Sequence, residues 1–192
     1  MSEASDLQQP TDTIEQLAAK VVQLLKAKHQ TLAFCESLSA GLASAQIAGI
    51  PGASAVLRGG LVTYATELKV KLAGVPQEVV DRFGVVSAEC AAAMALGTQQ
   101  QCEAGWAVSL TGVAGPEMQD GKAVGEVWIG IAGPATRSEE NYHLENLTGT
   151  IQTFRAFESE QQVILAEQGR NFIRGAAVAQ SFRLLIKQIE CD

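Results

Sequence analysis

The stretch from Thr31 to about Ala48 constrains this chain most. A short apolar run with β character, Thr31 to Cys35, stops at Glu36-Ser37-Leu38-Ser39-Ala40-Gly41 and passes into a small-residue helix. Ser37 is therefore expected at a strand-to-helix junction. There the helix dipole and free backbone N–H groups stabilise negative charge developing on a bound carbonyl. A serine nucleophile fits that place. Plain N-capping by Ser37 and Ser39 fits it equally well, because serine is among the preferred capping residues.

Similar alternation runs through the rest of the chain. Thr11 to Ala27 carries Ile14, Leu17, Ala18, Val21, Val22, Leu24 and Leu25 at helical spacing, with Thr11 or Asp12 as N-cap. Arg58 to Ala65 reads as a strand, and Glu67 to Leu72 and Pro76 to Phe83 as short helices. Ser87 caps a longer helix to about Gln101. Trp106 to Leu110 is a strand that ends in Thr111-Gly112-Val113-Ala114-Gly115-Pro116. Val124 to Ala132 is strongly β, Arg137 to Ala166 favours further strands, and Phe172 to Ile189 is a closing amphipathic helix. Ala and Gly are abundant and aromatics make up only 5%. Small residues favour close packing of helix on sheet, which predicts an α/β fold: a single-domain α/β/α layered structure with a mixed β-sheet. Residues 1–10 read as a disordered lead-in and 11–192 as one domain.

Composition excludes several classes of function. The hydrophobic fraction is 47% and the charged fraction 18%, as in a chain with a well-filled core. The net charge is -7 with no Lys/Arg cluster, which argues against nucleic-acid binding but not against one small anionic ligand. Cys35, Cys90, Cys102 and Cys191 show no metal-ligand spacing, so no metal is expected. No apolar run spans a bilayer and the N-terminus has no signal core, so a cytoplasmic location with free thiols is expected. Asn146-Leu147-Thr148 matches a glycosylation sequon, which is read as chance in that setting.

A serine nucleophile needs a base. His29 and His143 are the only histidines, and neither has motif-like surroundings. Lys69 can serve, because burial lowers a lysine pKa and frees its lone pair. Tyr64 can relay a proton or fix the lysine. A solvated Lys69 and a core-packed Tyr64 are the plainer alternatives. Thr111 and Gly112 open a glycine turn whose backbone can approach a ligand. Glu36 can hold a polar group in the site or simply favour the helix dipole. Arg170 and Arg174, four apart, can lie on one helical face and grip a phosphate, or be two solvated arginines. Cys35 reads as a buried strand residue beside the site.

Each signal is weak alone, but their order is specific. The series is Glu36-Ser37-x-Ser39-x-Gly41, Pro51-Gly52-Ala53-Ser54-Ala55, Arg58-Gly59-Gly60-Leu61-Val62-Thr63-Tyr64 and Lys69. It continues with Leu72-Ala73-Gly74-Val75, Gly84-Val85-Val86-Ser87, Thr111 to Pro116, and Lys122-x-Val124-Gly125-x-Val127-Trp128. This resembles the CinA C-terminal domain family, the nicotinamide mononucleotide deamidases, over about residues 12–133 and loosely over the last helix. That family reads E-S-C-T-G-G, P-G-S-S-A, R-G-F-V-T-Y-S-N-E-A-K, L-G-V, G-A-V-S, T-G-I-A-G-P and K-P-V-G-T-V-W in the same order.

The resemblance implies hydrolysis of the nicotinamide mononucleotide carboxamide to nicotinate mononucleotide and ammonia, in pyridine nucleotide recycling. By motif position the nucleophile is Ser37, the base Lys69 and the helper Tyr64. Glu36, Ser39, Gly41, Thr111, Gly112, Arg170 and Arg174 are expected around the substrate. The oxyanion is expected on backbone N–H groups at the start of a 38–48 helix. No cofactor or metal is implied; the expected partners are a small-molecule nucleotide and a second copy in a homodimer. The chain also departs from the family pattern. Ala40 replaces a glycine, where a Cβ would crowd the backbone, Thr66 replaces an asparagine, and 117–121 has fewer glycines. Two further readings follow: a catalytically silent nucleotide- or partner-binding member, and a Ser-Lys amidase for another small amide.

Overall fold

The computed structural model describes residues 12–134 and 151–192. The expected lead-in, the Thr11 cap, the Asn146 sequon and His143 lie outside them. Three strands run parallel: β1 (Leu32–Glu36) sits between β2 (Leu57–Val62) and β3 (Trp106–Gly112). The sheet then reverses through antiparallel β4 (Val127–Ala132) and β5 (Ile151–Arg155). The order β2-β1-β3-β4-β5 is the mixed sheet expected from sequence.

Side chains alternate across the sheet, and the two faces differ in character. Leu32, Phe34, Trp106, Val108 and Leu110 face one layer of helices: α1 (Ile14–Ala27), α2 (Leu42–Ala48) and α7 (Arg170–Cys191). Cys35 and Ala107 face the other, where α5 (Ala88–Gln101) packs on the strands and carries α3 (Thr66–Ala73) and α4 (Gln77–Phe83). This second face is built from small residues, so α5 comes close enough for Ser109 Oγ to donate to the Ala91 carbonyl at 2.6 Å. Helices on both faces give the α/β/α layering.

Helix ends follow local chemistry. The cap of α1 is Thr13, in a box with Gln16, rather than Thr11 or Asp12. Ser87 Oγ accepts from the Cys90 N–H and caps α5 as expected. Of the stretch expected to favour strands, residues 137–150 lie outside the described residues; β5 is such a strand, but the part after it is not. Beyond β5 the chain forms α6 (Ser159–Gln168), a marginal helix that buries Gln162 and Leu165 while Val163 and Ile164 stay exposed. Its apolar pattern is too thin to distinguish helix from strand without its seat on α7.

Two features bring the site together. The carboxyl ends of β2, β1 and β3 lie side by side, because Glu36 is in register with Val62 and with Leu110. Ligands of parallel sheets collect at such ends. In addition, α7 buries Ile173, Ala177, Phe182, Leu185 and Ile189 along one stripe, with Phe182 edge-on to Phe34 at 6.1 Å. That seating delivers the first turn of α7 to the same edge.

Candidate active site

Ser37 follows the last residue of β1, and its N–H donates to the Leu110 carbonyl at 3.0 Å. Lys69 comes from the first turn and a half of α3. Its Nζ donates to Ser37 Oγ at 3.0 Å and to the Thr63 carbonyl at 3.0 Å. Only 2% of Lys69 is exposed, and no carboxylate pairs with it among the described residues. Burial lowers its pKa. The nearby thiols do not reverse this at neutral pH. Burial pushes Cys90 up to about 11 and raises Cys35, so both remain uncharged there. A neutral Lys69 amine keeps an N–H on Thr63 and turns its lone pair to the Ser37 hydroxyl. The Ser37 hydroxyl and the Lys69 amine thus touch directly, with no group between them.

The other sequence candidates divide between the pocket and its support. A pocket of about 190 Å³ is lined by Ser37, Lys69, Tyr64, Thr111, Gly112 and Arg170, together with Leu38, Thr66 and the 113–115 backbone. Tyr64 is half exposed, and its hydroxyl accepts from Arg170 Nη2 at 2.6 Å rather than meeting Lys69. Arg170 Nη1 also donates to the Gly115 carbonyl at 2.6 Å, so this arginine stands at the rim. Thr111 Oγ1 is turned to the Val85 carbonyl at 2.6 Å and shapes the wall from behind. At Gly112 a Cβ would lie 2.6 Å from the Glu126 carbonyl oxygen, so the strand β4 backbone, not a ligand, requires this glycine.

Glu36, Ser39, Gly41 and Arg174 lie behind the pocket. The Glu36 carboxylate is fully buried and accepts from the N–H groups of Gly41 (3.0 Å), Ala43 (3.0 Å) and Ser44 (2.8 Å) and from Ser44 Oγ (2.7 Å). It anchors the start of α2, the second of its two sequence readings. Gly41, at φ 93°, is the N-cap of α2 and gives its N–H to Glu36. Ser39 is buried and its hydroxyl has no partner among the described residues. Arg174 donates to the carbonyls of Leu38 (3.0 Å) and Ser39 (2.8 Å) and to Asn171 Oδ1 (3.0 Å). Of the two arginines expected on one ligand, only Arg170 lines the pocket.

The helix expected over 38–48 starts later. Helix α2 begins at Leu42, and the N–H groups of residues 40 to 44 are all taken, by Ser37 O, Glu36 and Ser39 O. Leu38 and Ser39 are the two amides of this turn with no acceptor among the described residues. Ala40 adopts φ 51° with an exposed side chain, so its Cβ strains the backbone but does not crowd the pocket. Sequence reasoning missed the Thr63 carbonyl on Lys69, although Thr63 sits within the quoted motif. It did not single out the pocket-lining Val85 and Val86, although both sit within the motif series, while Glu117 and Gln119 line the pocket from the 117–121 segment that departs from the family pattern. The described residues bring no three His, Cys, Asp or Glu side chains into a metal-sized group, and no described helix is long and apolar enough to cross a membrane.

A family model described as the CinA C-terminal domain matches residues 14–157. The chain belongs to this family. A putative competence-damage inducible protein of Lysinibacillus sphaericus (strain C3-41) is 46% identical over 141 residues, which is 73% of this chain and 33% of that protein. The chain spans about a third of the length of the curated relatives it matches. The crystal structure of competence/damage inducible protein CihA from Agrobacterium tumefaciens is 28% identical, with a TM-score of 0.75 over 94% of this chain and 98% of that one. A CinA superfamily protein from Enterobacter cloacae, 22% identical, shares the fold at a TM-score of 0.78. In this CinA C-terminal domain, Ser37, Tyr64, Lys69 and the 111–116 turn lie within the matched residues. Arg170 and Arg174 lie beyond them.

Proposed function

We propose that this chain is an amidohydrolase that converts nicotinamide mononucleotide to nicotinate mononucleotide and ammonia through a Ser37–Lys69 pair. The observation that carries the reading is a buried lysine without a carboxylate partner among the described residues, its Nζ 3.0 Å from the hydroxyl of a serine at a strand end. A lysine in ordinary structural use finds an acid or reaches solvent. One held against a hydroxyl, with its charge disfavoured, is set up as a base. The substrate identity rests on the family resemblance and on Arg170 at the rim, next to the positive end of α7, where a phosphate is well received.

In this mechanism neutral Lys69 takes the Ser37 proton as Oγ attacks the amide carbon. The oxyanion is held by free backbone N–H groups of the turn after Ser37. The Lys69 ammonium then gives its proton to the amide nitrogen, the C–N bond breaks and ammonia leaves. Water, deprotonated by Lys69, hydrolyses the acyl-serine and releases the carboxylate. Base and oxyanion donors each contribute about 10²- to 10⁴-fold in systems of this kind.

The test is ammonia release from nicotinamide mononucleotide by the wild type, Ser37→Ala and Lys69→Met. Turnover by the wild type and loss in both folded variants supports the reading. Saturable binding of the nucleotide without ammonia release points instead to a silent binding member. Turnover of unphosphorylated amides in preference to the nucleotide points to a general Ser-Lys amidase.

A further inference from the structure

Arg174 was expected on a phosphate, yet each of its three guanidinium nitrogens already donates inside the protein. Two of them hold adjacent carbonyls of the turn after Ser37, 135 and 136 residues away in sequence. The guanidinium is half-buried and has no carboxylate partner among the described residues. An unpaired cation kept at that depth is balanced by the carbonyl dipoles it grips. Charge-assisted bonds of this kind are the stronger ones.

The carbonyl and N–H of one trans peptide point in opposite directions. Drawing the Leu38 carbonyl onto α7 therefore turns the Ser39 N–H away from α7. The Ser37 carbonyl is held by the Ala40 N–H at 3.2 Å, which turns the Leu38 N–H outward from the turn in the same way. These are the two amides between Ser37 and Ser44 that no protein group accepts among the described residues. The turn that presents them includes Ala40 in the left-handed region, a conformation an alanine does not hold by itself. Something must over-determine it, and the Arg174 fork does so from outside.

We infer that Arg174 is a positioning residue: it clamps the Leu38 and Ser39 carbonyls so that the free N–H groups of this turn are fixed as the oxyanion donors for Ser37. The inference rests on the Ser37–Lys69 reading but not on the identity of the amide. Arg174 touches no substrate; it acts through the backbone.

The experiment uses a fluorophosphonate probe. It phosphonylates an activated serine and places a developing P–O⁻ where an oxyanion would sit. The second-order labelling rate of Ser37 is measured against pH for the wild type, Arg174→Gln, Arg174→Lys and Arg174→Ala, with folding followed by thermal melting. The Arg174→Gln rate is expected to fall about 10²-fold, the usual loss when an oxyanion donor is misplaced. Its pH midpoint should match the wild type, since that belongs to Lys69. Arg174→Lys, which cannot fork two carbonyls, should recover little. Methylguanidinium should restore part of the Arg174→Ala rate. A folded Arg174→Gln that labels within about twofold of wild type overturns the inference. So does a loss that comes with a shifted pH midpoint and no guanidinium rescue. A wild type that the probe does not label overturns the Ser-Lys reading and this inference together. A wild type that is labelled at Ser37 yet inert toward nicotinamide mononucleotide overturns only the substrate.

Discussion

Arg170 Nη2 donates to the Tyr64 hydroxyl at 2.6 Å, and these two residues, 106 apart in the chain, meet at the mouth of the pocket. The contact ties the start of α7 to the segment between β2 and α3. It makes Tyr64 a brace for the rim arginine, while Lys69 reaches Ser37 unaided. Arg170→Gln is expected to raise KM for nicotinamide mononucleotide about tenfold or more, the worth of one charge-assisted hydrogen bond. Turnover of the nucleoside lacking the phosphate should be unchanged. Tyr64→Phe should show a smaller rise of the same kind. Steady-state kinetics on the two substrates decide the matter, and an equal loss on both would mean that Arg170 serves the pocket wall rather than a phosphate.

Lys69 gives two pH-dependent readouts. Its folded pKa lies below the ordinary lysine value of 10.5 because burial disfavours the charge. The rate of Ser37 acylation should therefore rise with pH and level off at a midpoint below 10.5. Stability follows the same window. Between the folded and unfolded pKa values the unfolded chain binds more protons, so stability increases with pH there, and the burial cost is greatest below it. Lys69→Met should abolish activity yet raise stability by about 1–3 kcal/mol in mildly acidic buffer. The gain should shrink as the pH climbs. Chemical denaturation at several pH values measures this, and a variant less stable than wild type at every pH would contradict it.

Glu36 supports the site from below. Its carboxylate takes three backbone N–H groups and the Ser44 hydroxyl, and Gln can satisfy only part of that set while adding donors that face donors. Glu36→Gln is expected to cost about 2–4 kcal/mol and to slow Ser37 labelling at a temperature where the variant is still folded. An unchanged urea midpoint would show that the start of α2 is held by other means.

Ala40 holds φ 51° at a position where the family pattern has glycine, and its side chain faces solvent. Ala40→Gly removes the left-handed strain and returns some flexibility to the unfolded chain, for a net gain of about 0.5–1 kcal/mol. Activity should stay within about twofold, because no pocket contact changes. Melting temperature and turnover are the measurements. A large rise in turnover would mean that the Cβ does reach the substrate.

Much of the fold was legible in the chain itself. Ser37 at a strand end, the Ser87 cap, the run from Trp106 into the glycine turn and the stripe of α7 are local patterns fixed by side-chain period and capping chemistry. The helix α6 was not legible, because its burial depends on a seat against α7 that 10 residues of mixed polarity do not announce. The roles of Glu36 and Arg174 were hidden for a different reason. Both were expected around the substrate, and each is instead engaged by backbone groups whose positions exist only after folding.

The residue order alone determined the family, the layered α/β class and the set of groups gathered near Ser37, because propensity, periodicity and motif spacing act over short stretches of chain. Tertiary structure alone decided which of those groups face the pocket and which support it. Lys69 meets Ser37 only because α3 buries it there, and Arg174 is separated from Arg170 only where the start of α7 meets the β1 edge. At this site burial and hydrogen-bond partnership depend on contacts between residues as far as 136 positions apart, and no local pattern encodes those.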